Sequence, residues 1–573
     1  MEKIWKIKKE NKIDETLVKK FQPVILRLLA NRGITEVAGI EKFFNLDYSR
    51  DVLDPFNFSD MARAADRIIK AKGKREKIAI FGDYDADGVT ATALLYETLK
   101  LLGFEDVIIY IPDRQNEGYG MNSEAIEYLK SQGVGLIITV DCGITNFSEA
   151  EKAGELGMDL IITDHHHVPE KIPTAVAIIN PHMKNCRYAF QDLAGVGVAF
   201  KLAQALYQKI DPENIEQLKW LLDLVAVGTV ADCVPVLGEN RALVKYGLIV
   251  LSKTRRVGLQ ELFKVGRINI DENNLATTQK ISFQIAPRIN AAGRMDHANA
   301  SYNLVIEKDR VAARDMALEI ESKNQSRQKV TAEIVKEIRA LAENYFKDKK
   351  LIVASNEHWQ VGILGLVAGK ISDEFSKPTM VLQKRGEELV GSLRSIPQVN
   401  IIEALEKCSG LLTKFGGHAQ AAGVTVSGEN FEAFCGKLSG IIEKELEGKE
   451  IFPEIEIDAE VSAEDVNWEL MLEINKMEPF GEGNEEPVFL MKNMIAEDIK
   501  IVGNGSKHLK LALRAENNPK IFEAIGFGFG EKFSELKSGD HIDVVFNLQE
   551  DEWNGNKKMQ LRLIDLKMKN MLK

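Results

Sequence analysis

Between about residue 60 and residue 240, short Ile/Val-rich runs alternate with longer stretches of mixed polarity. "KIAIF" (77–81), "DVIIYIP" (106–112), "GLIITVD" (135–141), "DLIITD" (159–164) and "AVAIIN" (175–180) are apolar almost throughout and bounded by Gly, Asp or Pro. That pattern predicts strands buried on both faces. The intervening "VTATALLYETLKLLG", "NSEAIEYLKSQG" and "NFSEAEKAGELG" each stop at a glycine and predict helices. Strand-helix alternation of this kind builds a parallel sheet with helices on both faces, and ligands of such sheets bind at the carboxyl ends of the strands.

The pattern then changes twice. From 306 to 346, Ala312, Met316 and Ile320, then Val330, Ile334, Ile338, Leu341 and Tyr345, recur at three- and four-residue steps and predict a long helical connector. A second α/β segment follows, with strands at "KLIVAS", "PTMVLQ" and "ELVGSLRS" and a glycine-rich end at "KFGGHAQAAG". After Pro453 the apolar positions alternate, as in Leu509/Leu511/Leu513, Ile542/Val544/Phe546/Leu548 and Met559/Leu561/Leu563, and "WNG" at 553–555 signals a hairpin. A small β-barrel of the oligonucleotide-binding (OB) type fits this tail. The expected division is an N-terminal segment (1–60), a larger α/β domain (61–300), a helical connector (301–349), a smaller second α/β domain (350–450) and the barrel (451–573).

Composition adds bounds rather than detail. A chain of 573 residues is too long for a single core, and 45% hydrophobic with 28% charged residues is ordinary for a globular protein. The start "MEKIWKIKKENK" lacks an apolar signal core, no apolar span is long enough for a bilayer, and the five scattered cysteines form neither a zinc spacing nor a disulfide framework. The expectation is a cytoplasmic monomer with no membrane association. A net charge of −12 argues against a surface coated in basic charge for nonspecific duplex binding, but leaves room for a local basic groove.

The unusual residues sit where the sheet predicts a ligand. "FGDYDADG" (81–88), "VDCG" with Asp141, "TDHHH" (163–167) and "ADCVPV" with Asp232 are each read as a strand end carrying acids or histidines. A single aspartate after a strand usually caps a helix or forms a turn. Four such ends on one side of one sheet crowd carboxylates that repel one another unless cations neutralise them. Oxygen donors with one or two imidazoles suit Mn²⁺ or Mg²⁺, and several carboxylates with one bridging ligand suit a pair of such ions. Downstream, Arg288 and Arg294 in "APRINAAGR" offer guanidinium forks for phosphate, or pair with acids on the connector. Gly416 and Gly417 in "GGHAQAAG" allow backbone N–H groups to approach an anion and His418 adds a donor. Arg114 follows a strand near the acids, where it would guide a substrate strand. Tyr119, on the same loop, would stack on a base or pack as a lid.

"DYDADG", "VDCG", "DHH" and "ADCVPV", in that order, resemble the DHH phosphoesterase superfamily. "SFQIAPRINAAGRMDHA", "GSLRS", "FGGHAQAAG" and "PFGEGNEEP" resemble the RecJ single-stranded-DNA exonucleases within it, from about residue 50 to the barrel. The resemblance implies that Asp85 ligates one metal and Asp87 the other, that Asp141 bridges them, and that His165 and Asp232 complete the shells. His166 would contact the scissile phosphate, and Ser392 with Arg394 would form the pocket for a terminal 5′-phosphate. Many DHH phosphoesterases carry a histidine ligand where this chain has Phe81, so Asp83 or water is expected to substitute. His167 and His182 have no role in the pattern and are expected to be structural or exposed.

The resulting expectation is an α/β protein whose DHH catalytic domain is followed by a DHH-associated domain and an OB-like barrel. Its activity would be metal-dependent 5′→3′ hydrolysis of single-stranded DNA to mononucleotides in repair and recombination. Single-strand-binding protein and a repair helicase are the partners that the resemblance suggests. The competing readings are a phosphodiesterase for short oligoribonucleotides or cyclic dinucleotides, for which an extended barrel has no use, and a catalytically silent replication scaffold, for which the acids have none.

Overall fold

The structure, a computed structural model, describes residues 3–9, 20–114, 116–449, 451–503, 505, 507–516, 518–533, 535–553 and 556–569. It divides into two compact units: Val52–Val234 with Gly238–Ile451, and Met1–Asp51 with Pro235–Leu237 and Phe452–Lys573.

The first unit is built on the predicted parallel sheet. Its strands lie in the order Val107–Tyr110, Lys77–Gly82, Val134–Val140, Asp159–Thr163 and Ala177–Ile179. The chain thus steps to one side after Lys77–Gly82 and returns to the other side with Val134–Val140. Where strand order reverses, the flanking connections leave in opposite directions and open a crevice beyond the carboxyl ends. The segments entering that crevice are Asp83–Asp87 and Asp141. Ala79, Phe81, Ile137 and Ile162 pack with Ala125, Ile126, Leu129, Ala150 and Ala153 of the helices Ser123–Ser131 and Phe147–Glu155. The helices Ala86–Leu101 and Gly195–Ile210 pack together and against the sheet.

One expected strand end is a helix end. Asp232 caps the carboxyl end of the helix Leu222–Ala231, whose residues Leu222–Val230 are all buried. A helix apolar on every side reads like a buried strand, because neither shows a polar face to set the period. The connector is the single helix Arg310–Tyr345. It leads into a second sheet ordered Lys414–His418, Ala421–Ser427, Glu388–Arg394, Thr379–Arg385 and Ile352–Asn356, antiparallel except for its last pair.

The N-terminal segment is not a separate element, as the division at residue 60 supposed. Ile25, Leu28 and Leu29 of the helix Pro23–Asn31 and Ile40 of Val37–Phe44 are buried in the same core as Val466, Leu470 and the barrel residues Leu511, Val544 and Phe546. Ile4–Ile7 pairs in parallel with Glu454–Ile457. The apolar faces of two short helices require a partner, and the core they share with the barrel supplies it. The barrel runs Phe489–Val502, His508–Ala515, Ile521–Gly526, Asn556–Met568, His541–Trp553 and back to Phe489–Val502, the closed five-strand order of an OB fold. Leu509, Leu511, Leu513, Ile542, Val544, Phe546 and Leu548 all face its core, as the alternation predicted. Asn554 and Gly555 of the expected hairpin lie outside the described residues; the strands on either side pair antiparallel up to Trp553 and Asn556.

A buried ion pair fixes the helix Gly195–Ile210, whose amino end enters the site. Lys201 Nζ lies 2.5 Å from Glu239 Oε1 and both side chains are excluded from water. Tyr188 Oη donates to Glu239 at 2.6 Å, the Leu53 N–H donates to it at 3.0 Å, and Lys201 donates to the Leu53 carbonyl at 2.7 Å. Lys201→Met leaves the carboxylate buried without its cation, so urea denaturation should show a loss of about 3–5 kcal/mol. Adding Glu239→Gln should return much of it. A loss below about 1 kcal/mol for the single variant would mean that the pair behaves like a solvated surface one.

Candidate metal centre and guanidinium pocket

Asp85 caps the helix Ala86–Leu101, accepting from the Asp87 and Gly88 N–H groups at 2.9 and 3.1 Å. The Asn290 side-chain oxygen accepts from the Ala86 N–H at 2.7 Å and ties this acidic turn to the helix Ala286–Met295. Asp87 points to the amino end of Gly195–Ile210 and accepts from Gly195 and Val196 at 2.6 and 2.9 Å. That helix lacks a side-chain cap of its own, so the Asp87 carboxylate satisfies its free N–H groups and meets its positive dipole end. Close approach needs glycine here. A Cβ on Gly195 would fall 2.4 Å from Asp141 Oδ1, and one on Gly228 would fall 2.6 Å from Asp87 Oδ1.

Three overlapping groups each bring their ligand atoms within 4.8 Å of one another: Asp141, His165 and His166; Asp87, His165 and Asp232; Asp83, Asp85 and Asp141. Asp141 and His165 each belong to two of them. His165 Nε2 lies 3.2 Å from Asp141 Oδ1 and 3.5 Å from Asp232 Oδ2. Burial, then the neighbouring His166, pushes the His165 imidazole down to about 4, so it is neutral, and its ring is hydrogen-bonded to the backbone of Leu193. Its Nε2 therefore presents a lone pair to carboxylate oxygens. Asp83 Oδ1, Asp141 Oδ1 and His165 Nε2 are all buried without a hydrogen-bond partner.

The charges tell the same story. Burial first, then the charge of Asp85, raises Asp87 to about 7, and burial with Asp87, Asp85 and Asp83 raises Asp232 to about 9. Asp83 and Asp141 are held well above the carboxylate range by burial and then by neighbouring acids. Acceptors facing acceptors, with no side-chain donor set among them, suit divalent cations. The donor set, carboxylates with an imidazole and no thiolate, is that of Mn²⁺ or Mg²⁺.

Asp164 behaves in the opposite way. Burial raises its carboxyl, but the bond and charge of His166 and the Ile144 and His166 N–H groups outweigh burial and hold it below its ordinary value. It accepts from His166 Nδ1 at 2.7 Å and so orients that ring. Burial lowers the His166 imidazole, and Asp164 more than reverses this. Tyr119 Oη contacts the Asp141 carbonyl at 3.2 Å and His166 Nδ1 at 3.1 Å, a positioning contact rather than a free stacking platform. Asp164 and Asn290 were not singled out from sequence, although both lie within motifs that were quoted.

A second cluster carries the opposite sign. Arg114 stacks over the Tyr84 ring at 4.7 Å. Burial, then the charges of Arg114 and Arg327, with Arg394 also contributing, lowers the Arg294 guanidinium to about 9, and burial followed by Arg114 lowers Arg394. Arg294 donates to the Gly362 carbonyl at 3.1 Å, at the start of the helix Val361–Phe375. A Cβ on Gly365 of that helix would sit 2.9 Å from Arg394 Nη2 and 3.5 Å from Ser392 Oγ, which places both beside its first turns. Among the described residues, Arg114, Arg294, Arg327 and Arg394 enter no ion pair. Arg327, on the connector helix, is an addition to the sequence reading. Arg288 is a correction: it pairs with Glu321 at 2.6 Å and donates to the carbonyls of Gln284 and Gly266, so its guanidinium is committed to packing.

Gly416, Gly417 and His418 lie exposed on the edge strand Lys414–His418. Gly417, at φ +148°, has no room for a side chain beside the Ala421 carbonyl, whereas a Cβ on Gly416 would point into open space. Phe81 is fully buried and stacks on Tyr110 at 5.1 Å within the apolar layer, while Asp83 stands among the acids.

A parallel sheet with buried acids at its switch point, joined through a long helix to a second small sheet, defines a DHH-type metal-dependent phosphoesterase. The DHH family N-terminal domain matches residues 77–229, the DHHA1 domain 348–444 and the RecJ OB domain 457–565. The chain is 39% identical to the single-stranded-DNA-specific exonuclease RecJ of Bacillus subtilis, over 95% of this chain and 68% of that one. It is 31% identical to the Haemophilus influenzae RecJ, over 95% and 96% respectively. The crystal structure of Thermus thermophilus RecJ in complex with Mn²⁺ is similar, with a TM-score of 0.82 at 27% identity, covering 98% of this chain and 79% of that one; the same protein with Mg²⁺ gives 0.76 at 25%. The chain belongs to the RecJ family.

The positions of Asp83 and Phe81 set a direct test of the centre. In calorimetric titration with Mn²⁺, Asp83→Asn should weaken binding about 10- to 100-fold. Phe81→His should leave Mn²⁺ affinity unchanged, because the ring it replaces is stacked in the apolar layer. Tighter binding in Phe81→His would show that an imidazole there reaches the acidic turn after all.

Proposed function

We propose that this protein is a divalent-metal-dependent 5′→3′ exonuclease that hydrolyses single-stranded DNA to 5′-mononucleotides, acting in DNA repair and recombination. The observation that carries the reading is the pairing, within one unit, of a centre where buried carboxylates and an imidazole face one another without a donor and a cluster of guanidinium groups that, among the described residues, enter no ion pair. A metal pair completes the first and a phosphate completes the second.

Asp85 would hold one ion, Asp87 the other, and Asp141, shared by two ligand groups, would bridge them; His165 and Asp232 would complete the shells. When bound, such a pair supplies Lewis acidity at phosphorus and lowers the pKa of water. The chain does the rest. His166, held by Asp164, presents its free nitrogen to a non-bridging oxygen of the scissile phosphate. Arg394, Ser392 and Arg294, beside the helix Val361–Phe375, hold the terminal 5′-phosphate through charge-assisted bonds, and Arg114 steers the strand. Fixing the terminal phosphate at one place and the reacting one at another sets both the polarity and the one-nucleotide step. Gly416, Gly417 and His418 add backbone and imidazole donors on the facing edge strand.

The barrel unit supplies nucleic-acid-binding surface of its own, with Phe527 exposed beside His508. It gives little to a cyclic-dinucleotide hydrolase, and the ligand set gives little to a silent scaffold. No helix among the described residues is long and apolar enough to cross a membrane. A cytoplasmic monomer working on DNA opened by a helicase and coated by single-strand-binding protein is the setting this reading implies.

End-labelled single strands digested with Mn²⁺ provide the test. Wild-type protein should release mononucleotides from the 5′ end, and Asp141→Ala should lose at least about three factors of ten in rate. Arg394→Ala should reduce use of 5′-phosphorylated ends by about 10- to 100-fold while sparing 5′-hydroxyl ends. Equal losses on the two ends would remove Arg394 from the terminal pocket.

A further inference from the structure

Two imidazoles that the proposed chemistry leaves unused, those of His167 and His182, form a row with His418 at the edge of the metal centre. The His167 ring lies 5.2 Å from the His182 ring and 6.3 Å from the His418 ring. The two loops are tied together by Asn180, whose side chain donates to the His166 carbonyl at 2.9 Å and accepts from the His182 N–H at 2.8 Å. Row and centre are continuous, because His166 precedes His167 and its ring packs 4.4 Å from His165. Among the described residues, none of the three row imidazoles is paired with a carboxylate.

The row does not converge as a cation site would. The groups that close within 4.8 Å omit all three residues. Imidazoles that do not converge on one point suit an anion with several oxygens, each ring offering an N–H donor to one of them. The second sheet gives the direction. His418 pairs with Ala421, and Ala421 pairs with Arg394, so the three stand in one line across adjacent strands. Strand spacing puts about 10 Å between the first and the third backbones. The arginine that takes the terminal phosphate is at one end of that line and the imidazole row begins at the other.

We propose that His167 and His182, together with His418, hold the phosphodiester immediately 3′ of the scissile one. This rests on the exonuclease reading. The residues position the strand and take no part in bond breaking, so they govern the binding of substrates long enough to carry that phosphate.

The test compares a 5′-phosphorylated dinucleotide, which lacks a phosphate 3′ of the scissile bond, with the trinucleotide, which has one. His182→Ala and His167→Ala should each raise KM for the trinucleotide about tenfold with kcat nearly unchanged, and leave the dinucleotide kinetics as in wild type. His182→Gln, which keeps an N–H donor, should recover part of the loss. A neutral methylphosphonate at the second internal linkage should cost the wild type about tenfold and cost His182→Ala nothing more. An unchanged trinucleotide KM, an equal rise on both substrates, or a shifted Mn²⁺ requirement without a KM change would overturn the assignment. Wild-type protein that cleaves neither oligonucleotide would instead overturn the exonuclease reading, and this one with it.

Discussion

Everything in the first unit is arranged around the repulsion among Asp83, Asp85, Asp87, Asp141 and Asp232. Carboxylates crowded at this density destabilise the folded chain unless positive charge is brought to them. Part of it is permanent: Asp87 is set against the amino end of Gly195–Ile210, and Asp85 caps Ala86–Leu101. The remainder is withheld. The contrast with Asp164 is instructive, since that acid is equally buried yet fully supplied with donors, and its carboxyl is lowered rather than raised. Supplied acids orient their neighbours; unsupplied ones wait for cations.

The guanidinium cluster is the mirror image of that centre. Arg294 is destabilised by burial and then by like charges, as Asp141 is; the charge of Asp85 offsets part of this, but no carboxylate pairs with it among the described residues. Keeping the two charge sets from neutralising each other takes rigid scaffolding. Arg114 is held on the face of Tyr84, and Arg294 is anchored to a carbonyl at the start of a helix. A substrate with phosphates spaced along it satisfies the second set while metals satisfy the first. Neither interaction then has to compete with an internal salt bridge, and this keeps binding energy available for the substrate.

The parallel sheet, the connector and the barrel were legible because each rests on a single period: continuous apolar runs, a helical repeat, or strict alternation. The acids at 85, 87 and 141 were legible because a carboxylate after a buried strand is out of place there. Asp232 was found for its neighbours but put on the wrong element, since the helix before it has no polar face. Arg288 was left open between a phosphate and an acid of the connector, because an arginine in a basic motif looks the same with either partner; the structure pairs it with Glu321, 33 residues away on the connector. Arg327 and the His167–His182 contact have no local signature at all. They arise only when distant loops and helices meet, which pattern cannot foretell.

The same limit explains the N-terminal segment. Its helices show an ordinary amphipathic pattern that says they must be buried, but not where. The answer lies at the other end of the chain: Trp5 donates to Asp565 at 3.0 Å, and Ile25, Leu28 and Leu29 share a core with Val466 and Leu470. In sequence, the unit that carries the metal centre therefore lies between the first and last segments of the barrel unit and is itself interrupted by the short segment Pro235–Leu237. Contacts this far apart in sequence form late, because closing the loop costs entropy that no nearby contact repays. The segment's apolar face has no partner within the chain until the final strands exist. A cut near residue 450 would remove that partner permanently and leave the face exposed, so the barrel cannot be treated as a detachable tail.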